Sequence, residues 1–122
     1  MSKRILVADD SDTVRRSVYS YLTQRDFVVC GEAIDGEDVI EKAWELKPDL
    51  ILLDVAMPRT NGIVVASVLK DMLPNVRIVL FTMYSEAVTR AFPRKGLAVD
   101  AVIAKSDGMS RLAECVQSLL RL

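Results

Sequence analysis

The chain has 122 residues, 51% of them hydrophobic, and 16 basic against 17 acidic side chains give a net charge of −1. This is one domain's length with no basic field for nucleic acid, no apolar run near the ~20 residues of a membrane span, and no leader-like start, since Asp9, Asp10 and Asp12 interrupt the apolar stretch after Arg4. Histidine is absent, which removes histidine triads, imidazole metal sites and histidine bases.

In chain order, the first strand is expected over Arg4 to Ala8, followed by a helix from Ser11 or Asp12 with Val14, Val18, Tyr21 and Leu22 on one apolar face. Asp12 reads as a first-turn residue favoured by the helix dipole, not as a ligand. A second strand, about Phe27 to Ala33, leads to a helix that Asp35 can cap. Its face of Ile40, Ala43 and Trp44 is expected inward, with Glu37, Asp38, Glu41 and Lys42 outward. Lys47-Pro48-Asp49 ends that helix, because the residue before a proline is pushed out of the helical region.

The third strand is Leu50 to Leu53, and after the loop Asp54 to Asn61 a helix carries Val65, Ala66, Leu69, Met72 and Leu73 as far as Pro74-Asn75. Met57-Pro58 reads as shaping that loop. A fourth strand covers Arg77 to Phe81, and a fourth helix is expected from Ser85, interrupted at Pro93 with Gly96 as its exit. The fifth strand, Ala101 to Ala104, leads past Ser106 or Asp107 into a last helix with Leu112, Val116, Leu119 and Leu120 on one face. That helical pattern still runs at Arg121 and Leu122, and a stand-alone chain and a piece of a longer one both stay open. Cys30 and Cys115 lie far apart in apolar runs and read as reduced packing residues, in keeping with a cytoplasmic protein.

Short apolar runs alternating with helices at this spacing predict right-handed βαβ crossovers. The expected fold is a flavodoxin-like three-layer α/β/α sandwich, a single domain over 1–122, with five helices and a five-stranded parallel sheet in the order 2-1-3-4-5. In such sheets ligands bind beyond the carboxyl ends of the strands. Four runs end there on polar residues: Asp9 and Asp10, Asp54, Thr82, and Lys105. The first turn, Ala8-Asp9-Asp10-Ser11-Asp12, has no glycine to let a pyrophosphate approach the backbone, and no phosphate-binding glycine-rich loop occurs elsewhere. An acidic turn attracts a cation instead, and Mg²⁺ needs only one or two carboxylates plus a phosphate oxygen.

The stretch Asp54-Val55-Ala56-Met57-Pro58-Arg59-Thr60-Asn61-Gly62, with Asp9-Asp10 upstream and Thr82 and Lys105 downstream, resembles the receiver domain of bacterial two-component response regulators. The resemblance covers essentially the whole chain. It implies that Asp54 accepts a phosphoryl group from a phosphohistidine of a sensor histidine kinase or phosphotransfer protein. It also implies that Asp10, Asp54 and the Ala56 carbonyl ligate Mg²⁺ with Asp9 acting through a water, that Lys105 pairs with the phosphoryl oxygens, and that the Thr82 hydroxyl turns toward them. No contact with nucleic acid or membrane follows for this domain, and a homodimer stays open.

The chain departs from that family's pattern at several positions. Val102 stands where an aromatic commonly swings with the threonine, Ser106 where proline commonly follows the lysine, and Met83 where a small residue is common. Ala56 and Tyr84 offer no acid or amide to orient a water, so a long-lived phosphoaspartate is expected, and Pro93 with Arg94 to Val99 predicts an altered fourth helix and partner face. Two other functions compete. A Mg²⁺-dependent aspartyl-phosphate phosphatase would want a second acid two residues after Asp54, where Ala56 stands, and a cap domain. A phosphorylation-independent interaction module would have no use for the intact acids, threonine and lysine. The expectation is therefore a signalling domain, not an enzyme beyond assisting its own phosphorylation and dephosphorylation.

Overall fold

A computed structural model describes residues 3–83 and 99–121. Strands β1 (Arg4–Ala8), β2 (Val28–Ala33), β3 (Leu50–Leu53), β4 (Arg77–Thr82) and β5 (Ala101–Ala104) form one sheet in the order β2-β1-β3-β4-β5. Every neighbouring pair is parallel, with Ala8 level with Leu53 and Thr82 level with Ala104. Helices α1 (Asp12–Thr23), α2 (Gly36–Leu46), α3 (Gly62–Met72) and α4 (Gly108–Leu120) are found among the described residues. The helix expected from Ser85 lies outside them.

Strand alternation divides the core into two. Leu6, Ala8, Ile51, Leu53, Ile78 and Leu80 meet Val39 and Ala43 of α2 and Val65, Ala66 and Leu69 of α3. Ile5, Val7, Leu50, Leu52, Val79 and Phe81 meet Val18 and Leu22 of α1 and Leu112 and Val116 of α4 on the other face. A sheet covered on both faces explains why the central strands are unbroken aliphatic runs and not alternating ones. Cys30 and Cys115 are free, partly buried thiols packed against these cores, and burial raises the pKa of each.

The helices start where the sequence supplies caps. Ser11 Oγ accepts from Val14 N at 3.2 Å, Asp35 from Asp38 N at 2.8 Å, and Asn61 from Ile63 N at 3.0 Å, each satisfying a first-turn amide. The last helix differs. Lys105–Asp107 forms a 3-10 turn, and α4 follows without a side-chain cap from Ser106 or Asp107.

The expectation for Trp44 is corrected. Its side chain is 59% exposed, whereas the buried stripe of α2 is Gly36, Val39 and Ala43. One residue beyond Ala43 is a 100° rotation on a helix, which carries Trp44 off the core side. The Lys47 ammonium covers its ring at 3.2 Å from the centroid.

Candidate functional site

The order β2-β1-β3 reverses the winding direction at β1, so the carboxyl ends of β1 and β3 flank a crevice. Asp9 and Asp10 leave β1 there and Asp54 leaves β3. One oxygen from each of the three carboxylates lies within 4.8 Å of the others. Asp9 and Asp54 are buried, and Asp10 is exposed.

Backbone bonds fix the two buried acids. Asp9 N donates to Ala33 O at 3.0 Å and Asp54 N to Ala8 O at 2.9 Å, extending the ladder one residue past each strand. Asp9 Oδ1 accepts from Ser11 N at 2.9 Å, and Asp54 Oδ1 from Ala56 N at 3.2 Å. Their other oxygens face one cation. Lys105 Nζ, carried on the turn after β5, lies 2.7 Å from Asp9 Oδ2 and 3.3 Å from Asp54 Oδ2. Burial alone would lower the Lys105 pKa, but the hydrogen bond to Asp9 and the charges of Asp54 and Asp9 outweigh it, so the ammonium titrates above its ordinary value.

Three carboxylates against one ammonium leave the cluster negative, and its donors are all oxygens. That set suits a divalent cation of the Mg²⁺ type, which takes oxygen ligands and keeps several waters. Asp12 stays out of the cluster and pairs with Arg15, as its reading as a first-turn residue requires.

The loop after Asp54 is shaped as Met57-Pro58 suggests. Thr60 N donates to Met57 O at 3.3 Å across a turn with Pro58 at its first corner and Arg59 at φ 55° in the second. Thr60 Oγ1 accepts from Gly36 N at 2.8 Å, tying this loop to the start of α2. Gly62 lets α3 begin against the loop, because a Cβ there would lie 2.7 Å from Val55 Cα. Thr82 is fully buried at the end of β4, one strand from Asp54, while Met83 beside it is 76% exposed. Tyr84 and Pro93 lie outside the described residues.

The structure thus gathers Asp9, Asp10, Asp54 and Lys105 into one cluster, with Ala56 beside it and Thr82 on the same rim. Sequence reasoning missed Arg15. Its Nη1 donates to Asp9 O at 2.6 Å and its Nε to Glu32 Oε1 at 3.0 Å. The available signal was the spacing of Asp12 and Arg15, an acid and a base three apart on one helix.

Comparison with known proteins agrees with this geometry. The model of the response regulator receiver domain matches residues 5–117. The chain is 42% identical over 120 residues to response regulator protein VraR of Staphylococcus saprophyticus, covering 96% of this chain and 56% of that protein. With VraR of Staphylococcus aureus it shares 36% over 124 residues, 99% of this chain and 58% of that one. The chain therefore spans about half the length of the curated relatives it matches. Among solved structures, response regulator TrrA of Thermotoga maritima, in complex with Mg²⁺-BeF, superposes with a TM-score of 0.85 at 31% identity, covering 97% of this chain and 99% of that one. A LuxR-family two-component response regulator from Aurantimonas gives a TM-score of 0.86 at 25% identity, over 98% of this chain and 86% of the other. A family match that runs from within β1 to within α4, on a sheet of this order with its acids at the switch point, has one meaning: the chain belongs to the receiver domains of two-component response regulators.

Proposed function

We propose that Asp54 is the phosphoacceptor of this receiver domain, and that residues 1–122 act as a single signalling unit. The observation that carries this is the placement of the Asp54 carboxylate. It is 6% exposed, within 4.8 Å of oxygens of two further acids, and touched by the one ammonium in the cluster.

In the transfer, an Asp54 oxygen forms the new bond to phosphorus while the bond from phosphorus to the donor's imidazole nitrogen breaks and that nitrogen keeps the electron pair. The donor histidine lies outside residues 1–122, which hold none. A phosphohistidine on a sensor kinase or phosphotransfer protein supplies it. Such chemistry asks the protein for in-line positioning and for charge on the phosphoryl oxygens. Asp9, Asp10, Asp54 and the Ala56 carbonyl would hold Mg²⁺, which when bound supplies part of that charge. Lys105 supplies the rest, exchanging Asp54 Oδ2 for a phosphoryl oxygen. The Thr82 hydroxyl is the donor on the neighbouring strand end. New charge on Asp54 then biases the loops of the rim between two arrangements.

A phosphatase acting on other substrates is disfavoured, since Ala56 brings only a methyl group where a leaving group would need an acid. Two reduced thiols fit a cytoplasmic location. No helix among the described residues is long and apolar enough to cross a membrane.

The test is incubation with acetyl phosphate, with and without Mg²⁺, followed by intact mass measurement. One phosphoryl adduct is expected with Mg²⁺ and none in Asp54→Asn. An adduct that ignores Mg²⁺, or that survives Asp54→Asn, would overturn the reading.

A further inference from the structure

We propose that Arg15 is a positioning residue for cation binding: its guanidinium clamps the Asp9 carbonyl and so aims the Asp10 carboxylate. The proposal rests on the divalent-cation reading above and gives it a component that the resemblance did not assign.

The three acids are held in unequal ways. Asp9 and Asp54 have side-chain bonds from backbone amides and from Lys105. Among the described residues, no hydrogen bond or ion pair holds the exposed Asp10 side chain. Only its own backbone restrains it. The Asp9 carbonyl belongs to the planar peptide that ends at the Asp10 Cα, so holding that oxygen holds the N–Cα bond from which the Asp10 side chain starts and narrows the directions open to it.

Arg15 fixes it. Nη1 donates to Asp9 O at 2.6 Å, Nε donates to Glu32 Oε1 at 3.0 Å, and Nη2 pairs with Asp12. The side chain is only 11% exposed, so the fork is braced from β2 on one side and from the first turn of α1 on the other. A planar guanidinium can satisfy three acceptors at once, and a lysine ammonium cannot reproduce that grip. Groups that orient metal ligands without touching the metal alter its affinity by about 10–100-fold when removed.

The sign of the effect separates this role from simple electrostatics. Arg15 is a positive charge beside a cation site, so removing it should, by Coulomb's law alone, tighten cation binding. Positioning predicts the reverse.

The experiment is titration calorimetry with MgCl2 on the wild-type chain, Arg15→Met and Arg15→Lys, with circular dichroism confirming the fold of each. Arg15→Met is expected to bind Mg²⁺ about tenfold more weakly, and Arg15→Lys, which keeps the charge but loses the fork, severalfold more weakly. Unchanged or tighter binding by folded Arg15→Met would overturn the proposal. Should Arg15→Met fail to fold, unchanged affinity in Arg15→Lys would overturn it instead. A merely structural arginine would lower the melting temperature and leave the affinity of the folded protein alone. Absence of Mg²⁺ binding by the wild type would instead sink the cation reading itself, which keeps the two failures apart.

Discussion

Lys105 bridges the buried acids of the rim, 2.7 Å from one carboxylate and 3.3 Å from another. Burial opposes its charge, and the bond to Asp9 with the charges of Asp54 and Asp9 restores it with a surplus, so its pKa in the folded protein lies above 10.5. A group whose folded pKa is raised gives stability that is complete below its unfolded value and is lost as pH rises through the folded one. The wild-type chain is therefore expected to lose stability more steeply than Lys105→Met above about pH 10, by at most about 1.4 kcal/mol per pH unit for a single group. Urea midpoints for both proteins across that range check it, and parallel curves would contradict it. The places of Asp54, Lys105 and Thr82 on the rim were legible because each follows or ends an apolar run. Arg15 was not, because its work is done on a main-chain oxygen, which leaves no mark in side-chain pattern.

At the scale of the elements, the caps at Ser11 and Asp35 could be read directly, since an N-cap is a local bargain between one side chain and one amide. The start of α4 could not, because it follows a 3-10 turn at Lys105–Asp107 and no side chain caps it. Trp44 went astray for a different reason: a large apolar residue next to a true core position competes with it for the inward face, and the smaller Ala43 won because α2 lies close against the sheet. Gly62→Ala is expected to destabilise by about 1–3 kcal/mol, because the new methyl would meet backbone at Val55 that cannot step aside. Trp44→Ala, on the open face of α2, is expected to change stability by less than about 1 kcal/mol. Urea denaturation of the two variants side by side checks both values, and a reversed ranking would refute the packing argument.

For the whole molecule, the strand order 2-1-3-4-5 expected from the sequence is the order found. Apolar runs and helical spacings specify a doubly wound parallel sheet, and the switch between β1 and β3 follows from having helices cover both faces. The fourth helix expected from Ser85 falls outside the described residues.

The Lys105 ammonium has one more consequence, which concerns salt. It is a counter-ion on a tether, held at its site by its own backbone at an effective concentration that no dilution or dialysis can lower. The lysine cancels one of the carboxylate charges there at every salt concentration, and the charge that remains is what a free cation meets. Melting temperature in the absence of divalent cations should then vary less with NaCl for the wild type than for Lys105→Met, which should be less stable at low salt and recover as salt screens its bare acids. In this sense the lysine lessens the dependence of the acidic rim on the salt around it.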